Sequence, residues 1–317
     1  MSNVTYSYVV LSFYGDLGAA KYLAFAATVT MYACVLASNA SLVGFICLDR
    51  ELRARPMFVL AASLFANQLL GSTAFLPAAA AQTLSSSHAV SPAACYLQIF
   101  GLYSYARVEF CTLAAMAYDR YLAVCRPLRY GAIATPRRAL LVTLALWSLS
   151  MAWVAAALAP SAARPLCGTE VAGFYCQYYQ VMQLLCGGVA PANYAYGLAA
   201  TALGVVAPLL PVLYSYAGIL RVVFTGRGQA RSKAVATCAP HVVSLLSFCF
   251  GCTFQVAQVR FEAAGLPPGL RGFLALYYVL AQPVVVPLVY GGQMAQIRQR
   301  YKRLLCCPRH LPVKDHG

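Results

Sequence analysis

The stretch of sequence that decides the fold is MAYDRYLAVCRPLRY, which runs from Met116 to Tyr130. Asp119 and Arg120 stand side by side at the end of a long apolar run, and a basic segment that contains a proline follows at once. Charged side chains are costly at membrane depth, so those that remain there usually carry function. The stretch therefore indicates the end of a membrane-spanning helix that carries a functional pair of charges.

The composition of the whole chain points to the same class. Of its 317 residues, 61% are hydrophobic and only 10% are charged, whereas about a quarter are charged in a soluble protein. Each spanning helix needs roughly 20 mostly apolar residues, and the continuous runs favour helices over a barrel. The sequence predicts an all-α membrane protein, a bundle of seven transmembrane helices. The predicted spans lie near residues 22–48, 57–82, 96–121, 139–159, 193–223, 234–257 and 271–291.

The distribution of basic residues predicts the orientation of the bundle. With the N-terminus outside, the inner loops and tail hold 18 of the 23 Lys and Arg residues, and the outer segments hold four. The positive-inside rule therefore selects an outer N-terminus and an inner C-terminus. This topology accounts for the net charge of +15, so no nucleic acid is expected as a partner.

The chain divides into three predicted segments. Residues 1–21 form an extracellular N-terminus, 22–295 form the transmembrane domain, and 296–317 form a cytoplasmic tail. The tail begins with apolar and basic residues on opposite faces at helical spacing, which predicts a short interfacial helix on the membrane lipids. Asn3 begins a glycosylation sequon. Cys306 and Cys307 follow the tail helix and are either palmitoylation sites or ordinary cysteines.

Four cysteines fall on the predicted outer face. Cys95, Cys167, Cys176 and Cys186 should pair in the oxidising exterior. Four cysteines allow three connectivities, and the sequence alone leaves all three open.

Several motifs in order carry a resemblance that covers residues from about 39 to 303. Met116 to Tyr130 resembles the MAYDRYxAICxPLxY signature of vertebrate olfactory receptors, which are class A (rhodopsin-like) G-protein-coupled receptors. Ser215 to Leu220 resembles SYxxIL, Lys233 to His241 resembles KAxxTCxxH, and PLVY follows at 287–290. The Cys-Ala-Pro-His form of the third motif resembles the fish branch of the family.

The resemblance implies roles for these residues. Cys95 would pair with Cys176, and Cys167 with Cys186. The arginine of the signature is held by its neighbouring acid at rest and meets the G protein when the sixth span swings outward. A two-state element of this kind amplifies small ligand shifts. The implied coupling and switch residues are Asp119, Arg120, Tyr121, Tyr216 and Tyr290.

A polar cluster is expected in the centre of the bundle. Glu109 lies 11 residues before Arg120, about 16 Å deeper in the membrane. The family's acid on the second span is replaced by Gln68, and the usual asparagine before Pro287 is replaced by Val286. A sodium ion beside Glu109 and a protonated Glu109 bonded to Gln68 or Asn39 are the two alternatives. No other cofactor and no metal site is expected.

The ligand pocket is expected between spans three, five, six and seven, in their outer halves. Leu102 stands where the resemblance places the aspartate of amine receptors, which argues against an amine ligand. Arg107 lies about 18 Å below Cys95, and it either bonds neighbouring helices or binds an acidic group of the ligand. The predicted pocket residues are Leu102, Tyr103, Ala106, Arg107, Phe248, Gln255, Tyr277 and Tyr278.

The resemblance implies an odorant receptor that binds a small molecule within the bundle. It would activate a heterotrimeric G protein of the olfactory stimulatory type, raise cyclic AMP, and lie in the plasma membrane of olfactory cilia. The chain has no P-loop, HExxH or GxSxG sequence, so no enzyme activity is expected. The alternative function is a secondary transporter or channel, but the two halves show no matching pattern of broken helices.

Overall fold

The computed structural model describes residues 5–15, 18–187, 191–225, 229–261 and 268–293. Seven long helices lie within these ranges and correspond one to one to the predicted spans. Three short helices and two short strands occupy the loops between them, and a third strand precedes the first long helix. The long helices are α1 (Ala20–Leu48), α3 (Pro56–Leu84), α4 (Pro92–Cys125), α6 (Pro136–Ala162), α8 (Pro191–Thr225), α9 (Gln229–Phe261) and α10 (Pro268–Gln293). The short helices are α2 (Arg50–Arg53), α5 (Pro127–Ile133) and α7 (Tyr178–Leu184).

Membrane character is strongest in five of the seven long helices. Ala20–Leu48, Pro56–Leu84, Pro136–Ala162, Ala202–Thr225 and Cys238–Gln255 are long and apolar enough to cross a membrane. In α10 the corresponding apolar stretch is shorter, Val279–Gly291. Helix α4 carries the charged residues that the sequence singled out, Arg107, Glu109, Asp119 and Arg120.

Local sequence sets where several helices begin. Pro56, Pro92 and Pro136 each occupy the first turn of a long helix, where the missing N–H of proline has no partner to lose. The Ser91 hydroxyl accepts from the Ala94 amide at 3.3 Å, and Thr135 caps α6 in the same way. These caps satisfy amide groups that the first turn leaves free.

Prolines inside the helices free carbonyl groups, and polar side chains satisfy some of them. Pro287 has no N–H to donate to the carbonyl four residues earlier, which is that of Pro283. The Asn39 side chain donates Nδ2 to this Pro283 carbonyl at 3.1 Å and to the Val35 carbonyl at 2.9 Å. The bond to the Pro283 carbonyl ties α1 to α10.

Close approach of α3 and α4 depends on a glycine. A Cβ atom at Gly71 would lie 2.6 Å from the Tyr105 ring, which is closer than real contacts allow. Tyr105 itself is fully buried, so the absence of a side chain at Gly71 lets this ring lie flat between the two helices. The packing brings Gln68 and Glu109 to the same level of the bundle.

The predicted all-α class needs one addition, a small sheet on the outer face. Strands β1 (Val9–Leu11), β2 (Ala89–Val90) and β3 (Glu170–Val171) pair in the order β2-β1-β3. The first is antiparallel to β2 and parallel to β3. Tyr14 extends this contact by donating its hydroxyl to the Phe174 carbonyl at 3.0 Å. The N-terminal segment is thereby fixed to the long outer loop.

Candidate functional site

The charged pair at the inner end of α4 is closed in this structure. Arg120 Nη2 lies 2.5 Å from Asp119 Oδ2, and its Nε lies 3.2 Å from the same oxygen. Asp119 is 5% exposed and Arg120 is 8% exposed. Because removing one partner would leave the other as an uncompensated buried charge, the two residues depend on each other.

Tyr130 of α5 holds the second oxygen of Asp119. Its hydroxyl donates to Asp119 Oδ1 at 2.9 Å. Burial, followed by the charge of Asp119, raises the pKa of the Tyr130 hydroxyl above its ordinary value. The hydroxyl therefore stays protonated through the physiological range and remains a donor. The second inner loop thus takes part in holding the acid that binds Arg120.

A second link joins three helices about two turns deeper along α4. The hydroxyl of Tyr216 on α8 lies 2.5 Å from His241 Nδ1 on α9, and His241 Nε2 lies 2.8 Å from the Leu113 carbonyl on α4. A carbonyl only accepts, so Nε2 must carry the proton. In the neutral ring Nδ1 is then an acceptor, and Tyr216 donates to it. His241 thereby joins α4, α8 and α9 through one buried ring.

The two remaining predicted switch residues lie on either side of this link. Tyr121 is close to Tyr214 of α8, with the two hydroxyl oxygens 3.3 Å apart. Tyr290 of α10 is fully buried and packs edge-on against Phe65. Its hydroxyl has no hydrogen bond within the described residues. Tyr290 therefore lies in the core beside the Arg120 region without a polar contact to it.

The polar cluster around Glu109 is complete, and it includes a residue that the sequence analysis missed. Gln68 Nε2 donates to both carboxylate oxygens at 2.8 Å, and Asn67 Nδ2 donates to Oε2 at 2.8 Å. Amide donors offset part of the cost of burying a carboxylate. Asn39 does not join this cluster, because its amide is used by the Pro283 carbonyl. The sequence analysis named Gln68 and Asn39 as possible partners of Glu109, and in the structure Gln68 contacts it.

Metal ligands do not converge anywhere in the described ranges. No group of three or more His, Cys, Asp or Glu side chains there is arranged to hold an ion. Glu109 contributes a single carboxylate, surrounded by the amide groups described above.

The predicted ligand residues separate into buried and accessible ones. Leu102 is 1% exposed and packs in a cluster with Phe75, Val279 and Tyr175 from the long outer loop. Phe248 is equally buried and packs against Tyr105. Leu102 and Phe248 are thus core residues of two neighbouring clusters, and Tyr175 of the outer loop packs in the cluster of Leu102.

Two further pocket candidates, Tyr277 on α10 and Gln255 on α9, carry polar groups. The Tyr277 hydroxyl lies 2.9 Å from the Ser247 hydroxyl of α9. Gln255 Oε1 is buried and makes no hydrogen bond within the described residues. The side chain of Tyr278 lies outside the described part of the structure. On α4, Tyr103 is 41% exposed and packs edge-on against Tyr178, and Ala106 packs against the main core.

Arg107 points to a different side of α4 from Leu102. Its guanidinium carbon lies 4.6 Å above the Trp153 ring of α6. A Cβ atom at Gly204 of α8 would meet Arg107 Nη1 at 2.9 Å. The side chain therefore lies between α4, α6 and α8, which is outside the predicted ligand pocket. Its neighbour Trp153 carried no signal in the sequence that would have assigned it to this contact.

The outer disulfides are those that the family resemblance implied. Cys95 is bonded to Cys176, and Cys167 to Cys186. The first bridge ties the long outer loop to the start of α4, and Gln98 adds a bond by accepting from the Cys176 amide at 2.9 Å. Asn3, Cys306, Cys307 and the predicted tail helix lie outside the described residues.

Comparison with known proteins agrees with the motifs. A sequence model of the family described as olfactory receptor matches residues 28–307. Olfactory receptor 52K2 of Homo sapiens is 34% identical over 278 residues, which cover 84% of this chain and 85% of that protein. Human olfactory receptors 52D1 and 52K1 are 32% and 33% identical over 279 and 277 residues. These stretches cover 87% and 84% of this chain, and 86% and 85% of the two proteins. The family match includes residues from all seven long helices.

Proposed function

The chain belongs to the olfactory receptor family, so it is a multi-pass receptor of the plasma membrane and not an enzyme, and we propose that it raises cyclic AMP when an odorant binds. The G protein in this proposal is the olfactory stimulatory type. The cellular site is the cilium of the olfactory neuron.

The proposed odorant site is the outer half of the bundle beneath the long loop. Leu102 and Phe248 supply apolar surface there, while Gln255 and Tyr277 supply polar groups. Ligand sites commonly combine a mostly apolar lining with a few polar groups that fix orientation. An amine would need an acidic partner, and Leu102 is apolar. We therefore expect that the part of the odorant beside Leu102 is uncharged and is not an amine.

The proposed switch is the Asp119–Arg120 pair, and this pair is the observation that carries the function. The arginine is held by its neighbouring acid, the acid is held by Tyr130, and the ring of His241 joins the helices just above. A ligand shifts such an equilibrium only by the difference in its affinity for the two states. Odorant binding would favour the state in which Arg120 leaves Asp119 and contacts the G protein.

The experiment is nucleotide exchange with purified components. Receptor in lipid nanodiscs is mixed with the olfactory stimulatory G protein, and guanine-nucleotide exchange is followed across an odorant panel. At least one odorant should accelerate exchange in a saturable manner. Flux of that odorant across receptor-containing vesicles, without any exchange on the G protein, would instead identify a transporter.

A further inference from the structure

A cavity of about 550 Å³ lies between α4, α6 and α8 in the inner half of the bundle. Its volume is typical of a small-molecule site. Small residues create the space, namely Ala115 on α4, Ala139 on α6 and Ala207 on α8. The odorant site proposed above lies in the outer half of the bundle, on another face of α4. The cavity is therefore separate from the odorant site.

The two ends of the cavity differ in charge. Asp119 and Arg138 line its inner end, and the Arg138 guanidinium is already bound to the carbonyls of Ala132 and Ile133 at 2.8 and 2.9 Å. Arg107 lines the opposite end. Its Nε is buried and makes no hydrogen bond in the part of the chain that the structure describes. Its guanidinium carbon stacks 4.6 Å above the Trp153 ring of α6.

Arg107 lies near the middle of the membrane. It precedes Asp119 by 12 residues, about 18 Å along the helix, and a hydrocarbon core is about 30 Å thick. An arginine at this depth needs an anion or other polar partners. An anion in the cavity would meet the Arg107 side chain that lines it and would have an apolar channel beside it.

We propose that the cavity binds a free long-chain carboxylic acid that enters from the bilayer, with its carboxylate on Arg107 and its chain along the alanine-lined channel. The positive charge of Arg107 favours a ligand with an anionic group, and the apolar lining favours a ligand with a hydrocarbon chain. A phospholipid is a poorer fit, because its headgroup stays at the interface and does not reach the membrane centre. A free acid crosses hydrocarbon in its neutral form, and the guanidinium then favours the ionised form.

The cavity is also in contact with the proposed switch, the Asp119–Arg120 pair. Asp119 lines the cavity while it is paired with Arg120. A ligand stabilises the conformation that presents its site. The acid should therefore favour the closed pair and lower nucleotide exchange. This second effect rests on the proposed G-protein coupling, whereas binding of the acid does not.

The test measures saturable binding of radiolabelled tetradecanoic acid to receptor in nanodiscs, with empty nanodiscs subtracted. Arg107→Gln should weaken binding roughly 10- to 150-fold, the range expected for a charged hydrogen bond. Arg107→Lys should retain a preference for the acid over its methyl ester. Arg137→Gln is the matched control, because Arg137 is exposed on α6 outside the cavity.

A second pair of variants tests the cavity itself. Val142 is 44% exposed and lines the cavity, while the adjacent Leu141 is 57% exposed and does not. Val142→Trp should fill the space and remove saturable binding, and Leu141→Trp should leave it intact. Equal binding by native receptor and Arg107→Gln, or equal affinity for the acid and its ester, would overturn the proposal. So would binding no greater than that of empty nanodiscs.

Discussion

At the scale of single residues, Tyr130 is the feature that most directly controls the charged pair. Its hydroxyl occupies the Asp119 oxygen that Arg120 leaves free. Tyr130→Phe should therefore weaken the hold on Asp119 by about 0.5–1.5 kcal/mol, and basal nucleotide exchange should rise about two- to tenfold. Tyr118→Phe is the matched control, because Tyr118 is 44% exposed and its ring contacts Tyr121.

The pH dependence of this effect follows from the direction of the pKa shift. Because the Tyr130 pKa is raised, its bond to Asp119 is present below the ordinary tyrosine value and is lost only above it. The difference in basal exchange between native receptor and Tyr130→Phe should be constant from pH 6 to 9. A difference that disappears within this range would contradict the assignment.

His241 gives a second prediction at this scale. Tyr216→Phe would leave Nδ1 of the buried ring unpaired, and His241→Phe would remove the acceptor of the Tyr216 hydroxyl and the donor to the Leu113 carbonyl. Each should cost about 1–3 kcal/mol of stability. The double variant should cost less than the sum, because both changes break one network. Thermal unfolding midpoints of the four proteins in detergent measure this, and strictly additive losses would count against the shared link.

The residues of the switch region and the pairing of Arg120 with Asp119 could be chosen from the sequence, but Tyr130 as the second partner of Asp119 could not. Adjacency placed Asp119 beside Arg120 without any tertiary information. Asn67 was missed because the count along α3 selected only one residue, Gln68, although the neighbouring amide also reaches Glu109. The position of Arg107 depends on how α4, α6 and α8 pack. The spacing of residues along α4 carries no information about how the three helices pack, so the position of Arg107 could not be predicted.

At the scale of elements, the link between the outer loop and α4 is the decisive contact. Cys95 and Cys176 are fully buried and bonded across 81 residues of sequence. Loss of a native disulfide typically costs about 2–5 kcal/mol. Cys95→Ser should therefore strongly reduce the amount of receptor at the cell surface, measured by antibody labelling of intact cells.

Peptide mapping of the surface-expressed receptor checks the connectivity independently. Cys95 should be recovered joined to Cys176, and Cys167 joined to Cys186. Recovery of Cys95 as a free thiol, or joined to Cys167, would contradict the structure.

The seven long helices were predictable because long apolar runs have few other solutions in a membrane. The outer sheet was not, since each of its strands has only two or three residues. Such short segments carry no periodic signal and form only when β1 meets two distant loops. The short helix α5 was also missed, although its position explains why Tyr130 reaches Asp119.

At the scale of the whole molecule, the distribution of basic residues and the structure agree on which end of the bundle is the inner one. Among the described basic residues, Arg53, Arg129 and Arg138 lie at the end of the bundle where Tyr130 bonds to Asp119. The disulfide-bonded loop and the sheet cover the opposite side. Small ligands would therefore act on one end of the bundle, and the charged pair would respond at the other through the buried links of Glu109 and His241.

The most direct measurement of this account is odorant-driven cyclic AMP in cells that express native receptor or Arg120→Ala, normalised to surface receptor. Arg53→Ala serves as the control, because it removes an exposed arginine from the inner face. The account predicts equal surface amounts, a full response from the native and control receptors, and no odorant-dependent rise with Arg120→Ala. A response from Arg120→Ala equal to that of the native receptor would contradict it.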